Sequence, residues 1–375
     1  MVGKLYIIAG EASGDLHAAN LMKAIKSRSP QTDFRFWGGD NMMQVAGEPV
    51  KHIRELAFMG FVEVLANLRT ILGNIKFCKE DILKYKPDAI ILVDYPGFNL
   101  RIAKWAKEQG IRVIYYISPQ VWAWKQKRVH TIKQVVDKMY VILPFEKEFY
   151  AGFGMEVDYI GHPLLDAIDQ YQARTEEYEL REKHELDQRP VICLLPGSRR
   201  QEVKTKLPIM LESLKDFDDY QFIVAGAPAL DQDFYEPFMQ QYDNVRIIHG
   251  ATYDLLSVAT AALVTSGTAT LETALFRVPQ VVCYKGSSIS YQIAKRLVKV
   301  NYISLVNLIL DKEAVKELIQ AECTPKNIKR ELKKVLPGGE RHAQLHKDYD
   351  ELIHLLGKGG ASERVAEGII DFLEN

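Results

Sequence analysis

The sequence predicts an α/β protein made of two doubly wound halves. Short β-rich runs alternate with helical patterns from the start of the chain, the alternation breaks once near the middle, and it then begins again. With 375 residues, of which 47% are hydrophobic, the chain is long enough for two domains that each bury a core. Ligands of such sheets bind beyond the carboxyl ends of the strands, so we expect the chemistry in a cleft between the halves.

Two sets of short runs have the length and the composition of strands. In the first half they are Leu5–Ala9, Asp33–Trp37, Ala89–Val93, Arg112–Ile117, Met139–Ile142 and Glu156–Ile160. In the second half they are Val191–Leu195, Gln221–Ala225, Val245–Ile248, Ala261–Val264 and Gln280–Cys283. Helical patterns of ordinary length separate these runs, as the doubly wound architecture requires.

The break between the two sets predicts where the domains divide. Residues 175–189 are rich in charge and carry few apolar side chains, which is typical of an exposed connection. We therefore predict a first domain at 1–165, a linker at 166–189 and a second domain at 190–340. The tail at 341–375 is predicted as helices without a strand, and its return to the first domain is left open.

Bulk composition excludes several classes of protein. A formal net charge of −1 provides no overall field that attracts nucleic acid, so no nucleic-acid partner is expected. The four cysteines lie far apart, which argues against a disulfide framework and a zinc site and fits a reducing cytoplasm. No apolar run approaches the roughly 20 residues that span a bilayer, so we expect a protein that is neither exported nor integral to a membrane.

Residues 265–272 have the pattern of an anion-binding helix start. The small polar residues at this point are Ser266, Gly267 and Thr268. They follow the apolar run 261–264, where a strand gives way to a helix whose first N–H groups are unpaired and attract a phosphate. Glu272 lies one turn further on, within reach of the hydroxyls of a ribose. The pattern predicts a nucleotide diphosphate donor, although an ordinary capped core helix has the same signature.

A second phosphate-type loop follows the first strand of the second half. Gly197 and Ser198 precede Arg199 in this loop, at the carboxyl end of an apolar strand. An arginine offers a planar set of donors that matches phosphate oxygens, and its permanent charge can stabilise a departing diphosphate without a metal. The alternative is a solvated pair of arginines, because Arg200 comes next. No metal site is predicted anywhere in the chain.

Strand ends in the first half supply the candidate catalytic acids. Asp94 follows a wholly apolar strand directly and precedes a turn that Pro96 favours. A carboxylate in such a dry position can have a raised pKa and take a proton from an attacking hydroxyl, although a helix cap is the alternative role. Glu11 and Asp15 lie in the loop after the first strand. The glycines of that loop do not have the dinucleotide spacing, which disfavours a dehydrogenase.

Two segments are candidates for contact with acyl chains or a membrane surface. The predicted helix Phe58–Phe77 is unusually rich in large apolar residues. Those we select from it are Phe58, Met59, Phe61, Leu65, Leu68 and Leu72. Trp122 and Trp124 stand next to three cationic residues, a composition suited to a lipid headgroup interface. Ordinary core packing remains the alternative for both segments.

Taken in chain order, these motifs resemble the lipid-A-disaccharide synthase family over nearly the whole sequence. The matching segments are Ala9–Asp15, Phe58–Phe61, Asp94–Asn99, Ser118–Trp124, Gly161–Pro163, Leu195–Arg199, Ser266–Glu272 and Tyr302–Asn307. The segments Gly10–Asp15 and Trp122–Trp124 are the most specific of them.

The resemblance implies a GT-B glycosyltransferase with two Rossmann-like domains facing across a cleft. Its implied reaction moves a 2,3-diacylated glucosamine from UDP to the 6-hydroxyl of 2,3-diacylglucosamine 1-phosphate (lipid X), with inversion, giving the β-1,6 precursor of lipid A. Asp94 would be the base, Arg199 the diphosphate contact, and Glu272 and Asn307 residues lining the UDP pocket. No cofactor or metal is implied.

The resemblance also places the protein on the cytoplasmic face of the inner membrane of a Gram-negative bacterium, as a peripheral protein. A homodimer is left open. Alternatives are another GT-B enzyme that uses a UDP-sugar, such as a MurG-like transferase or a UDP-N-acetylglucosamine 2-epimerase, and a lipid or nucleotide binding protein without catalysis.

Overall fold

The protein divides into two compact units, each of which carries one parallel sheet. A computed structural model describes residues 3–56, 68–172, 176–228, 230–287, 291 and 300–374. The first unit combines Met1–Asp166 with Lys358–Asn375, and the second is Ala167–Gly357. Every strand pairing in both sheets is parallel, which requires a crossover connection between successive strands.

The first unit holds a seven-stranded sheet of order β3-β2-β1-β4-β5-β6-β7. Its strands are β1 (Lys4–Ala9), β2 (Asp33–Gly38), β3 (Lys51–His52), β4 (Ala89–Val93), β5 (Arg112–Tyr116), β6 (Lys138–Val141) and β7 (Asp158–Tyr159). Its described helices in this part of the chain are α1 (Ala12–Arg28), α2 (Asp40–Ala46), α3 (Leu68–Tyr85), α4 (Pro96–Glu108), α5 (Arg128–Val135) and α6 (Glu146–Ala151). The next helix, α7 (Pro163–Gln172), includes the boundary between the units after Asp166.

The second unit holds a six-stranded sheet of order β10-β9-β8-β11-β12-β13. Its strands are β8 (Val191–Leu195), β9 (Gln221–Gly226), β10 (Val245–His249), β11 (Ala259–Thr265), β12 (Gln280–Tyr284) and β13 (Lys316–Ile319). Its described helices are α8 (Glu177–Lys183), α9 (Arg200–Glu212), α10 (Gln232–Met239), α11 (Thr252–Val258), α12 (Thr268–Leu275), α13 (Leu305–Leu310), α14 (Pro325–Val335) and α15 (His342–Leu356).

Continuous apolar runs form the central strands because both faces of each sheet are covered. In β4, Ala89, Ile91 and Val93 join the core on the side of α1, whereas Ile90 and Leu92 join the core on the side of α3 and α4. A strand buried on both faces has no polar alternation, which is why these runs are legible in the sequence. Each predicted strand is present, and its ends agree with the prediction to within two residues.

Two strands were not predicted. The strand β3 has only two residues, and β13 has the sequence Lys-Glu-Leu-Ile, in which two charged residues obscure the apolar signal. Both lie at a sheet edge, where pairing with a neighbouring strand compensates for a weak local preference.

The last helix, α16 (Ala361–Glu374), belongs to the first unit and packs against α1. Asp166 receives hydrogen bonds at the start of this helix from the backbone amides of Gly360, Ala361 at 3.2 Å and Ser362 at 3.0 Å. The carboxylate thus accepts hydrogen bonds from amides that have no partner within the helix. Its negative charge also interacts favourably with the positive end of the helix dipole.

The observed units differ from the predicted ranges at two places. Residues 341–357, which we grouped with the tail, form α15 and pack in the second unit against α13. The predicted linker 166–189 contains the end of α7 and all of α8, and Leu180 of α8 is buried in the core of the second unit. The high charge of this segment reflects the outer face of a short helix rather than an open connection.

Each sheet has one place where the strand order reverses, and the loops at these places carry the predicted site residues. In the first unit the reversal lies between β1 and β4, and in the second between β8 and β11. Doubly wound sheets bind ligands at such switch points, because the two flanking loops diverge and leave a crevice. The four loops are therefore the natural places to look for chemistry.

Candidate active site

The turn after β4 places Asp94 at the switch point of the first unit. Asp94 and Tyr95 both have left-handed backbone conformations, with φ of 45° and 48°. Such angles are costly for residues other than glycine, so neighbouring groups must hold them. The carbonyl oxygen of Asp94 accepts hydrogen bonds from the Tyr115 hydroxyl at 2.6 Å and from Nδ2 of Asn99 at 2.8 Å. These contacts keep the turn in its strained shape.

The electrostatic surroundings of Asp94 suit a general base. Burial raises the pKa of its carboxyl to about 7, and the charge of nearby Glu11 adds to this effect. The amide of Tyr95 acts in the opposite direction, and Glu146 contributes a smaller increase. A base works best when its pKa lies near the working pH. The N-cap residue of α4 is Tyr95, and its side chain makes no capping hydrogen bond.

Glu11 and Asp15 share the β1–α1 region but have different surroundings. Glu11 stands immediately before α1, close enough to raise the pKa of both Asp94 and Tyr95. Asp15 is only 2% exposed, and both of its oxygens accept hydrogen bonds from the segment before and within α2. The donors are the amides of Gly39 at 2.6 Å, Asn41 at 3.0 Å and Met42 at 3.2 Å, and Nδ2 of Asn41 at 2.8 Å.

The hydrogen bonds of Asp15 correct its predicted catalytic role. A carboxylate whose oxygens serve four donors in the interior is committed to the fold and holds the start of α2. We therefore assign Asp15 a structural role. Glu11 keeps a place beside Asp94.

Glu146 is a buried acid that contributes to the raised pKa of Asp94 and that the sequence analysis did not select. It is the first residue of α6 and is 1% exposed. Its carboxylate accepts hydrogen bonds from the Ser118 hydroxyl and from the amides of Ile142 at 3.1 Å and Leu143 at 2.9 Å. Burial nevertheless raises its pKa to about 7. The rule that selected Asp94, an acid shortly after an apolar strand, would also have selected Glu146, which follows β6.

In the second unit, the loop after β8 has a shape that only glycine permits. Gly197 has a φ of 121°, and a Cβ at this position would lie 2.4 Å from Oε2 of Glu202. The same oxygen accepts a hydrogen bond from the Ser198 amide at 3.2 Å. Arg199 precedes α9 directly, its side chain is 56% exposed, and its Nη1 lies 3.9 Å from Oε1 of Glu202. A permanent charge is thus presented to solvent at the switch point.

The loop after β11 forms the predicted helix start. Gly267 precedes α12 with a φ of 152°, and as the N-cap residue it has no side chain to cap this helix. Gly267 and Thr268 are exposed, and the Ser266 hydroxyl donates a hydrogen bond to the carbonyl of Ile303 at 2.8 Å. The first amides of α12 are therefore accessible from solvent, which is the arrangement that binds a phosphate.

Glu272 lies on the second turn of α12 and is partly buried. Burial raises the pKa of its carboxyl, and a hydrogen bond from the Tyr253 hydroxyl at 3.1 Å lowers it by less.

Asn307 does not face an open pocket in the described structure. It is 0% exposed, and its Nδ2 donates hydrogen bonds to Oε1 of Glu317 and to the carbonyl of Val315, both at 2.9 Å. Its Oδ1 accepts a hydrogen bond from the Val315 amide at 2.9 Å. The predicted place in the UDP pocket is therefore corrected, because the amide group of Asn307 is occupied in joining α13 to β13.

The residues selected for contact with lipid fall into three groups. Phe58, Met59, Phe61 and Leu65 lie outside the described residues, and so does the side chain of Leu68. Leu72 is 53% exposed on α3. Trp124 is 40% exposed, with the ammonium group of Lys125 4.1 Å from its ring centroid. Trp122, however, is buried and packs edge-on against Phe145, so its predicted surface role is corrected to a core role.

Two further findings concern the described part of the chain as a whole. It contains no helix that is both long and apolar enough to cross a membrane. It also contains no group of three or more histidine, cysteine, aspartate or glutamate side chains arranged to hold a metal ion.

Comparison with known proteins decides the family. A model of the lipid-A-disaccharide synthetase family matches residues 5–367. The chain belongs to this family. It is 42% identical over 369 residues to the lipid-A-disaccharide synthase of Syntrophus aciditrophicus, covering 96% of this chain and 95% of the relative. It is 40% identical to that of Nitrosococcus oceani, covering 98% and 96%. The predicted family and its glycosyltransferase activity in lipid A disaccharide synthesis are confirmed.

Solved structures confirm the fold. The UDP-GlcNAc 2-epimerase of Neisseria meningitidis, bound to UDP-GlcNAc, superimposes with a TM-score of 0.70 over 98% of this chain and 100% of the epimerase. The sequence identity is 13%, so this likeness shows the GT-B-like α/β architecture alone. The family membership comes from the synthases, and the epimerase alternative is not favoured.

Proposed function

We propose that this synthase transfers a 2,3-diacylated glucosamine from UDP to the 6-hydroxyl of 2,3-diacylglucosamine 1-phosphate, with inversion at the anomeric carbon. The products are UDP and the β-1,6-linked disaccharide 1-phosphate. The activity for which its relatives are named, lipid-A-disaccharide synthesis, supports the class of product. The observation that carries the proposal is the strand-end carboxyl of Asp94, whose pKa of about 7 matches the deprotonation that this transfer needs.

Asp94 is the proposed general base. A sugar hydroxyl is a weak nucleophile, and removal of its proton as it attacks the anomeric carbon lowers the barrier. The proton passes to the Asp94 carboxylate, the new glycosidic bond forms, and the bond between the anomeric carbon and the diphosphate oxygen breaks. Glu11 supports this role, because its negative charge makes the carboxylate of Asp94 more basic.

The second unit binds the leaving group in this proposal. The diphosphate gains negative charge as its bond to the sugar breaks, and the exposed guanidinium of Arg199 and the open amides at the start of α12 can stabilise that charge. Glu272, one turn into α12, is proposed to bind the ribose hydroxyls. Arginine and helix amides supply the positive charge in this scheme, so we propose that the transfer needs no metal ion or other cofactor.

Peripheral attachment to the cytoplasmic face of the inner membrane is part of the proposal, because diacylated substrates reside in a bilayer. Its structural support is α3, where Leu72, Phe77 and Leu83 are about half exposed. Lys76 is also exposed on this helix and lies 3.9 Å from Glu80. Apolar side chains flanked by cationic groups are typical of a helix that lies on a lipid surface.

The test is mass spectrometry of the products that the purified enzyme forms from a mixed pool. The pool contains UDP-2,3-diacylglucosamine, UDP-N-acetylglucosamine and 2,3-diacylglucosamine 1-phosphate, with and without a metal chelator. We expect one disaccharide 1-phosphate carrying four acyl chains, at the same rate in both conditions. Formation of a product from UDP-N-acetylglucosamine alone, without an acylated donor, would overturn the substrate assignment. A rate that collapses with chelator would overturn the metal-free scheme.

A further inference from the structure

The backbone turn that carries Asp94 is held by side chains from two neighbouring elements. The carbonyl oxygen of Asp94 accepts a hydrogen bond from the Tyr115 hydroxyl at 2.6 Å and another from Nδ2 of Asn99 at 2.8 Å. Tyr115 belongs to β5, the strand beside β4, and Asn99 lies near the start of α4. The turn is therefore fixed both from the next strand and from the helix that follows it.

Asn99 also connects the turn to the other strand of the switch point. Its side chain is fully buried, and its Nδ2 lies 3.2 Å from the carbonyl oxygen of Val93 and 3.4 Å from that of Ile8. Ile8 belongs to β1 and Val93 to β4, the two strands between which the strand order reverses. One amide group thus joins the ends of both strands to the residue that carries the proposed base.

The Tyr115 hydroxyl is a permanent donor to this turn. Its side chain is buried in the core on the side of α3 and α4. Burial raises the pKa of the phenol well above its ordinary value, and the charge of Asp94 adds to this effect. The hydroxyl therefore keeps its proton and can donate at any working pH. A phenylalanine would fill nearly the same space without placing a polar group in the core, so packing alone does not account for the hydroxyl.

These hydrogen bonds act on a backbone shape that the local sequence disfavours. Asp94 and Tyr95 have φ angles of 45° and 48°, in the region that glycine adopts without strain. Strained residues of this kind persist only where the surrounding structure holds them, and they are concentrated at functional sites. Loss of a hydrogen bond to the turn should therefore let it relax and move the carboxyl group of Asp94, while the parallel sheet stays intact.

We propose that Tyr115 is a positioning residue for the transfer reaction: together with Asn99, it holds the backbone of Asp94 so that the carboxylate meets the acceptor hydroxyl. This assignment rests on the proposed function, in which Asp94 is the base. Tyr115 touches no substrate in this scheme and acts on the reaction only through Asp94. A misplacement of about 1 Å can cost roughly a hundredfold in rate, so even a modest relaxation of the turn should lower turnover.

The test begins with two matched tyrosine variants. Tyr115→Phe removes the hydrogen bond from β5, and the control Tyr85→Phe removes a hydroxyl that donates to the Asp33 carbonyl at 2.9 Å, at the amino end of the same sheet. Initial rates are measured with UDP-2,3-diacylglucosamine and 2,3-diacylglucosamine 1-phosphate, and UDP affinity is measured by calorimetry. We expect Tyr115→Phe to lower kcat about tenfold with KM and UDP affinity unchanged, and Tyr85→Phe to keep the wild-type kcat. A wild-type kcat in Tyr115→Phe would overturn the inference.

A double variant separates positioning from a merely structural role. If Tyr115 acts only through Asp94, the addition of Tyr115→Phe to Asp94→Asn should not lower the residual rate any further. Losses that multiply in the double variant would show that the hydroxyl acts elsewhere and would contradict the inference. A nearly wild-type rate in Asp94→Asn alone would instead contradict the proposed base, and the positioning role would fail with it.

Amide hydrogen exchange tests the turn without any substrate. The Asp94 amide donates to the Tyr116 carbonyl at 3.2 Å, and the Asn99 amide donates to the Tyr95 carbonyl at 3.0 Å. In ligand-free protein, Tyr115→Phe should speed exchange of the peptide spanning residues 94–99 several-fold, and Tyr85→Phe should not. Unchanged exchange in Tyr115→Phe would overturn the inference even if the substrates are those proposed. Faster exchange would support it even if the wild-type enzyme uses other sugars.

Discussion

The aromatic ring of Tyr95 covers Gly10 so closely that a Cβ on Gly10 would lie 2.4 Å from its Cγ and Cδ1. The β1–α1 loop and the β4–α4 turn thus interlock at the switch point of the first unit. Glu11 is next to Gly10 and Asp94 is next to Tyr95, so this contact lies beside both acids. Burial is the larger cause of the raised pKa of Asp94, and the charge of Glu11 adds to it.

Replacement of Gly10 by alanine should displace the Tyr95 ring and with it the turn that carries Asp94. Overpacking of this kind costs about 1–3 kcal/mol, and we expect turnover to fall as well. The control is Gly97→Ala, because Gly97 lies on the first turn of α4 with no atom within 4 Å of a Cβ. Thermal unfolding and initial rates measure both effects. Equal behaviour of the two variants would contradict the interlocked arrangement.

Asp94→Asn should lower turnover by about a hundredfold or more, because the amide cannot accept the proton. UDP binding should survive, since the second unit is unchanged. In the wild type, kcat/KM should rise as the pH increases through about 7, where Asp94 loses its proton. A parallel loss of UDP affinity, measured by calorimetry, would argue against the role of a base.

The raised pKa of Asp94 also has a consequence for stability. The folded protein holds this proton more tightly than the unfolded chain does, so the contribution of Asp94 to stability declines as the pH rises from about 4 to about 7. Asp94→Asn removes that decline. Urea unfolding at pH 5 and pH 8 measures the stability of Asp94→Asn relative to the wild type. This relative stability should be higher at pH 8 than at pH 5, and the absence of such a gain at pH 8 would contradict the raised pKa.

Arg199→Ala should weaken UDP binding by about ten- to hundredfold, the usual effect of removing a charged hydrogen-bond donor, and should also lower turnover. The matched control is Arg200→Ala, because Arg200 stacks on Phe234 at 4.6 Å rather than pointing to the loop after β8. Calorimetry with UDP distinguishes the two arginines. The assignment of Arg199 to the diphosphate is wrong if only the Arg200 variant loses affinity for UDP.

Asn307→Ala should destabilise the fold by roughly 2 kcal/mol, because it leaves the buried amide and carbonyl of Val315 without partners and removes one of the hydrogen bonds to Glu317. The comparison is Asn327→Ala, which removes a single exposed hydrogen bond to the Glu322 carbonyl. Urea unfolding measures the difference. A fully stable Asn307→Ala protein with weak UDP binding would restore the predicted role of Asn307 in the nucleotide pocket.

Leu72→Ser should reduce partition onto vesicles of anionic phospholipid, since transfer of one leucine side chain into an apolar phase contributes about 2 kcal/mol. Leu355→Ser provides the control, as Leu355 is 40% exposed on α15 of the second unit. Sedimentation with vesicles measures the bound fraction. Equal binding of both variants would remove α3 from the proposed lipid contact.

Local sequence determined the architecture of this protein. Strands such as β4 and β8 consist entirely of buried residues, and their apolar runs are legible without knowledge of any partner. The residues shortly after such strands fall at the carboxyl edge of a sheet, so Asp94, Arg199 and Ser266 could be selected as candidates by position alone. The ordered motifs of these loops were also sufficient to identify the family.

Tertiary structure alone decided which polar residues are available for chemistry. Asp15 and Asn307 stand near strand or helix ends like the other candidates. The hydrogen-bond partners of Asp15, however, lie 24 to 27 residues away along the chain, and those of Asn307 lie 8 to 10 residues away. Hydrogen bonding and burial depend on groups that folding brings together, so no local pattern specifies whether a polar side chain is committed to the fold or open to a substrate.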